Sequence, residues 1–191
     1  MRKVFLCFAL AITAYAHAEV DAALLKELRA GGNVLYMRHA STDFGQNDAN
    51  MTGYADCVNQ RNLTDKGRAE ARAVGEHVKR LAIPIGTVLA SPYCRTMETA
   101  RLAFGKAQTM SEVRGGPARP QDPQRYEGLK KILSTAVPKG ENLVIVSHGN
   151  PFFALTGPPP IAEGEVAVVK PQGSGFAVVG KIRLEDWQLL K

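Results

Sequence analysis

Hydrophobic residues along this chain alternate between short continuous runs and longer segments in which they recur every three or four positions. The continuous runs predict buried strands at residues 34–37, 87–90, 142–146, 166–169 and 176–184. The segments with helical spacing predict amphipathic helices at residues 20–30, 64–81, 91–104 and 126–136, with a short helix after residue 150. Strands that alternate with helices predict one α/β domain with a parallel or mixed sheet and helices on both of its faces.

Polar residues indicate where two of these helices begin and where the long loops lie. Thr64 is expected to cap the second helix, and Ser91 to cap the third, with Pro92 at its first helical position. Residues 40–62 are polar and show no periodicity, which predicts a long loop, and a Pro/Gly/Arg-rich loop is predicted at residues 115–124. Loops of such length within a compact domain are usually functional.

Arginine or histidine follows three of the predicted strands. The first ends at Arg38 and His39, the second leads to Arg95, and the third ends at His148. Because ligands in such folds bind beyond the carboxyl ends of the strands, we expect these side chains to meet in one pocket. Arginine offers a fixed fork of donors to phosphate oxygens, and helix N-termini add backbone N–H groups. The pattern therefore predicts a phosphate site.

Four segments that contain these residues together resemble the histidine phosphatase superfamily, an exported branch of it similar to periplasmic histidine phosphatases. The segments are 36–40 (YMRHA), 62–67 (NLTDKG), 91–100 (SPYCRTMETA) and 147–149 (SHG). The resemblance spans about residues 33–169, and Ala40 stands where the family often has glycine. It implies the phosphoglycerate-mutase-like fold, a three-layer α/β sandwich with a mostly parallel central sheet. It also implies an enzyme that hydrolyses a phosphomonoester without a cofactor or metal ion.

The same resemblance implies a role for individual residues. His39 would be the nucleophile that attacks phosphorus and forms a phosphohistidine, which water then hydrolyses. Arg38, Arg95 and His148 would bind the phosphoryl oxygens and the charge that builds up in the transition state. Thr42 is expected to add a hydroxyl donor to this phosphate site.

The reaction also needs a general acid that protonates the leaving oxygen. Glu165 is the residue we expect, because it directly precedes a predicted strand in a Gly-Glu pair that resembles exported family members. A solvated turn carboxylate is the alternative interpretation of Glu165. Glu163, Glu112 and Glu127 are alternative candidates for the acid.

The first eighteen residues have the pattern of a cleaved secretory signal. Arg2 and Lys3 precede an apolar run that is too short to span a bilayer comfortably, and residues 16–18 have the small-x-small form of a signal-peptidase site. We therefore expect residues 1–18 to be removed and a periplasmic or secreted domain of residues 19–191 to remain. The net charge is +6 for the whole chain. The expected domain has 22 Lys and Arg against 18 Asp and Glu, a charge of +4, so the total is poor support for an anionic partner.

Export predicts a disulfide between the two cysteines that remain, Cys57 and Cys94. Such a bridge would tie the long loop to the helix that carries Arg95. Two free thiols are the alternative. No metal site is expected, since neither cysteine has a close-spaced ligand partner.

A catalytically weak or inactive phosphate-binding module of the same fold remains an alternative, and a phosphoglycerate-type mutase is disfavoured because export would remove it from glycolysis. No basic run or set of stacking aromatics predicts a nucleic-acid partner, and no stretch after the signal predicts a membrane segment. We expect a monomer acting on a phosphorylated small molecule or envelope component, with Arg61 and Arg119 as loop residues that reach an anionic substrate.

Overall fold

Six strands form one sheet in the computed structural model, which describes residues 22–116 and 124–191. The strands are β1 (Val34–Arg38), β2 (Ile85–Ala90), β3 (Gln108–Thr109), β4 (Asn142–Ser147), β5 (Val166–Pro171) and β6 (Phe176–Ile182). They lie in the order β3-β2-β4-β1-β5-β6. Neighbours from β3 to β1 are parallel, whereas β5 is antiparallel to both β1 and β6. The carboxyl ends of β1, β2 and β4 therefore share one edge of the sheet.

Helices cover both faces of this sheet. They are α1 (residues 22–30), α2 (Asp65–Arg80), α3 (Cys94–Phe104), α4 (Glu127–Ser134) and α5 (Gly149–Thr156). On one face α1, α2 and α3 pack on residues such as Leu35 and Met37 of β1, and on the other α4 and α5 pack on Val34 and Tyr36. Because both faces are buried, β1 reads as a continuous apolar run. The prediction of a three-layer α/β fold with a mostly parallel sheet is confirmed.

Two local predictions had different outcomes at the helix starts. Thr64 caps α2 as predicted, and its hydroxyl accepts a hydrogen bond from Gly67 N at 3.0 Å. The prediction for α3 was wrong, because this helix begins at Cys94 rather than directly after Ser91. The Ser91 hydroxyl lies 2.8 Å from a ring nitrogen of His148, so it makes a contact in the sheet edge instead of capping the helix.

The long loop between β1 and α2 is fixed at both its base and its far side. A bridge between Thr42 and Leu63 closes the base. A 3-10 turn, Cys57–Asn59, lies against the start of α3, where Gln60 accepts a hydrogen bond from Cys94 N at 2.9 Å. The structure contains the Cys57–Cys94 disulfide, which links this turn covalently to the first residue of α3. The disulfide and this hydrogen bond thus hold the loop against the start of α3.

Some predicted features lie outside the described residues, namely the signal at residues 1–18, residue Arg119 and residues 117–123 of the second loop. Among the helices of the described ranges, none has the length and apolar character needed to cross a membrane.

Candidate active site

The adjacent ends of β1 and β4 bring two histidines together. Arg38 is in register with Ser147, and the next residue, His39, donates its backbone N–H to Ser147 O at 3.0 Å. The ring centroids of His39 and His148 lie 5.4 Å apart. Arg95, in the first turn of α3, lines the same pocket. The structure therefore brings the four predicted residues at the strand ends into one site.

The pocket is an open cleft of about 710 Å³ above this edge of the sheet. The β1–α2 loop contributes polar groups to it, including Gln46, Asn47 and Asp48. Tyr93 and Phe153 line it with aromatic rings, and 45% of Phe153 is exposed. The cleft combines a charged floor with room for a group larger than phosphate.

The main chain around His39 is held by neighbouring elements. Ala40 N donates to Thr99 Oγ1 of α3 at 3.2 Å, and Ser41 N donates to Glu70 Oε2 of α2 at 3.1 Å. His39 itself is 1% exposed, so its ring sits in a fixed backbone frame.

Hydrogen bonding and burial fix the protonation state of His39. Its Nδ1 lies 3.0 Å from Ala40 O. A carbonyl oxygen only accepts, so Nδ1 carries the proton and Nε2 keeps its lone pair. Burial lowers the pKa of His39 to about 3, with a further contribution from the positive charges of Arg95 and Arg38. His39 is therefore a neutral imidazole with Nε2 available as a nucleophile.

His148 is also buried and neutral. Burial is the main cause that holds the pKa of His148 well below its usual range, and the nearby His39 and Arg95 add to it. The ring contacts Ser91 Oγ through Nε2, and Tyr36 donates its hydroxyl hydrogen to His148 O at 2.7 Å. The position of this histidine is thus set on both the side chain and the main chain.

Three arginines give the pocket its charge. Arg38 donates from Nη1 to Ile161 O at 3.0 Å, and burial is the main cause that lowers its pKa. Arg95 donates from Nη1 to Asp48 at 3.0 Å, while Arg61 lies over the ring of Phe44.

The Nε of each of these arginines is buried and has no hydrogen-bond partner within the described ranges. The set is Arg38, Arg61 and Arg95. Buried donors without partners are costly, and the three guanidinium charges outnumber the two carboxylates that contact them, Asp48 and Glu163. The floor of the cleft therefore favours an anion.

The structure does not place Glu165 or Thr42 at the wall of this cleft. The Glu165 carboxylate accepts a hydrogen bond from Ala162 N at 2.7 Å and borders a separate surface pocket. The Thr42 hydroxyl donates to Glu163 Oε1 at 2.8 Å, so it is already engaged by a carboxylate. Glu165 thus stabilises the turn before β5, and Thr42 links the base of the long loop to that turn.

The alternative glutamates also lie away from the cleft. Glu163 approaches His39 from the Nδ1 side, at 3.8 Å, and pairs with Arg38 at 3.4 Å. Glu112 borders a different surface pocket, and Glu127 pairs with Lys130 on the exposed face of α4. Glu163 thus contacts Arg38 and the Nδ1 side of His39, and among the described residues neither Glu112 nor Glu127 lines the cleft.

Sequence reasoning missed Asp48 as a residue of the site. Asp48 lies in the Asn/Asp-rich loop, where no periodicity or motif distinguishes one acidic residue from the next. The only local signal is its distance of nine residues from His39, which a flexible loop makes uninformative. Arg61, which was only one of two loop candidates, does line the cleft.

Within the part of the chain that the structure describes, no group of three or more His, Cys, Asp or Glu is arranged to hold a metal ion. The described site residues hold ionic and hydrogen-bonding groups suited to an oxyanion.

Comparison with known proteins agrees with this geometry. The sequence model of the histidine phosphatase superfamily (branch 1) matches residues 34–116, which contain the first two strand ends of the site. No curated protein matches the chain significantly in sequence.

Solved structures share its fold. The protein histidine phosphatase SixA, complexed with tungstate, is 18% identical with a TM-score of 0.52, over 80% of this chain and 97% of SixA. The phosphoserine phosphatase of Entamoeba histolytica, in complex with 3-phosphoglyceric acid, is 13% identical with a TM-score of 0.53, over 78% and 95%. YhfR of Bacillus stearothermophilus is 19% identical with a TM-score of 0.50, over 76% and 94%. The chain is therefore similar in sequence to the histidine phosphatase superfamily over residues 34–116, and it shares its fold with these solved structures.

Proposed function

We propose that the protein is a phosphatase that hydrolyses a phosphomonoester through a phosphohistidine formed on His39. The observation that carries this proposal is the hydrogen bond from His39 Nδ1 to Ala40 O, which leaves an unprotonated Nε2 among three arginines. Phosphatases among the proteins of the same fold, such as SixA and phosphoserine phosphatase, support the reaction class.

The first step would transfer the phosphoryl group to the enzyme. Arg38, Arg61 and Arg95 bind the non-bridging oxygens and stabilise the charge that spreads over them in the transition state. The Nε2 lone pair of His39 forms a bond to phosphorus while the ester P–O bond breaks and the leaving oxygen takes up a proton. His148 lies beside His39 and completes the oxyanion site.

The second step would return the enzyme to its starting state. Water attacks phosphorus, the P–N bond breaks, and its electron pair returns to His39 Nε2 as inorganic phosphate leaves. The lowered pKa of His39 favours this step too, because it keeps the freed imidazole neutral. The reaction as proposed uses no metal ion.

The test measures hydrolysis of p-nitrophenyl phosphate, with and without a chelator, by the wild type, His39→Ala and His77→Ala. His77 is a matched control, since it lies on α2 stacked on Trp187, outside the cleft. We expect activity that the chelator leaves unchanged, that His39→Ala abolishes and that His77→Ala retains. Rapid quenching should trap an acid-labile phosphate on the peptide that contains His39.

Two outcomes would contradict the proposal. Loss of activity with the chelator would overturn the metal-independent reaction. A wild type that is inactive across a broad panel of phosphomonoesters, yet binds inorganic phosphate, would favour the phosphate-binding module.

We also propose that the enzyme is exported, with a substrate among the phosphorylated small molecules or components of the cell envelope. The signal pattern of residues 1–18 and the Cys57–Cys94 disulfide support this. Fractionation of expressing cells should place the protein outside the cytoplasm with Glu19 as its first residue. An uncleaved cytoplasmic chain would contradict export. Phosphorylated envelope metabolites would be the first substrates to screen, and gel filtration would test the expected monomer.

A further inference from the structure

Asp48 is the only aspartate or glutamate among the described residues that line the catalytic cleft. It lies in the loop between β1 and α2, and its side chain is 30% exposed. A carboxyl group at this position reaches the space next to the phosphate-binding floor while staying in contact with water.

The two oxygens of Asp48 have different surroundings. Oδ1 accepts a hydrogen bond from Arg61 N at 2.9 Å and another from Arg95 Nη1 at 3.0 Å. Oδ2 has no hydrogen-bond partner among the residues that the structure describes. One oxygen therefore anchors the group, and the other is available to carry a proton.

Arg95 would connect this carboxyl group to a phosphoryl group bound in the cleft. Its Nη1 is bonded to Asp48 and to Arg61 O, whereas its Nη2 bonds no group in the described ranges. A phosphoryl oxygen that accepts a hydrogen bond from Nη2 would be bound by the same planar guanidinium group that binds Asp48.

Glu163 and Glu165 have no comparable freedom. Both oxygens of Glu163 accept hydrogen bonds from Thr42, and the group faces the Nδ1 side of His39 rather than Nε2. Glu165 is 6% exposed and is bonded to Ala162 N. Neither oxygen pair is presented to the cleft.

We propose that Asp48 is the general acid and base of the phosphatase, a role that rests on the proposed function. As His39 Nε2 bonds to phosphorus and the ester P–O bond breaks, the Oδ2 proton of Asp48 passes to the leaving oxygen, which departs as an alcohol. In the second step the Asp48 carboxylate takes a proton from the attacking water, and the P–N bond breaks to release inorganic phosphate. The proton count of the enzyme is restored at the end of the cycle.

The test compares Asp48→Asn with the wild type on two substrates of similar size, p-nitrophenyl phosphate and benzyl phosphate. Nitrophenolate leaves without protonation, whereas the benzyl alkoxide needs a proton. Asparagine keeps an oxygen that accepts from Arg61 N and Arg95, so the anchoring contacts survive. We expect kcat/KM to fall about 100-fold or more for benzyl phosphate, the size of effect typical of general acid catalysis, and only a few-fold for p-nitrophenyl phosphate. A burst of nitrophenolate should also appear, because the phosphoenzyme hydrolyses slowly without its base.

Asp43→Asn is the matched control. Asp43 lies in the same loop, exposed, and accepts from Gly45 N, so its variant should hydrolyse both substrates like the wild type. Equal losses on both substrates in Asp48→Asn would mean that Asp48 only positions Arg95, and would overturn the proposal. A leaving-group-dependent loss in Glu163→Gln instead would also overturn it. Failure of the proposed function looks different, since the wild type itself would then be inactive and form no phosphohistidine.

Discussion

Ser91 Oγ and His148 Nε2 lie 2.8 Å apart at the sheet edge, and both residues are buried. Ser91 is placed there by its own backbone N–H, which donates to Val146 O of β4 at 3.0 Å. The hydroxyl contacts Nε2 and so orients the His148 imidazole, which lines the cleft.

Replacing this hydroxyl should lower activity without unfolding the protein. We expect Ser91→Ala to reduce kcat/KM about 10-fold, the size of one lost hydrogen bond. Ser134→Ala is a matched control, because Ser134 is buried and its hydroxyl donates to Lys130 O within α4, away from the cleft. Steady-state kinetics of both variants check this, and equal activities would show that Ser91 does not orient His148.

The buried neutral state of His39 should make the fold sensitive to acid. Between pH 6.5 and about 3 an unfolded chain protonates this histidine and the folded chain does not. The free energy of unfolding therefore falls as pH falls, by about 1.4 kcal/mol per pH unit for this one group. Urea unfolding at several pH values should give a shallower pH dependence for His39→Gln than for the wild type. An unchanged pH dependence would mean that His39 takes up its proton in the folded state.

The Cys57–Cys94 disulfide closes a loop with a sequence separation of 37 residues. The chain-entropy estimate for such a loop is about 4 kcal/mol of stability. Cys57→Ser/Cys94→Ser should therefore unfold at lower urea concentration, and its kcat/KM should fall, since Asp48 and Arg61 are both on the tethered loop and both contact Arg95. Unchanged stability and kinetics would show that noncovalent contacts alone hold the loop.

Gly67 lies where α2 packs closely against the backbone that follows His39. A Cβ at this position would collide with the backbone oxygen of Ser41, two residues after His39, and backbone cannot move aside cheaply. Gly67→Ala should destabilise the protein by about 1–3 kcal/mol, a typical cost of overpacking. Gly53→Ala is its control, with no atom within 4 Å of the new methyl group. Equal unfolding midpoints for the two variants would contradict this close packing.

Two parts of the protein could be predicted from the sequence: the buried strands and the charged residues at the strand ends. In both, one physical reason determines the residue type at a position. Apolar runs predicted the buried strands, because a strand that is covered on both faces of the sheet has no solvent-exposed face for polar side chains. Arg38 and His39 then followed from the rule that ligands bind at strand ends, and their neighbourhood to His148 follows from the parallel pairing of β1 and β4.

Side-chain direction was beyond the reach of the sequence. Glu165 precedes a strand in the predicted way, but the turn at Ala162 binds its carboxylate and points it to another surface. Asp48 reaches the cleft because Arg61 N and Arg95 bind it, and both contacts depend on how a loop of more than twenty residues folds back. Pattern and spacing carry no information on such tertiary contacts.

The strand order has a consequence for how the protein folds. Within the described sheet β1 pairs only with β4 and β5, both of which follow residue 141, while β2 pairs with β3 on one side alone until β4 arrives. A nascent or truncated chain that ends near residue 116 would hold His39, the pocket arginines and both cysteines of the disulfide. Its β1 strand, which leads to His39, would nevertheless be unpaired. Such an exposed apolar strand promotes aggregation, and pairing across more than a hundred residues slows folding. The proposed active site is therefore complete only when β4 and β5 have joined the sheet.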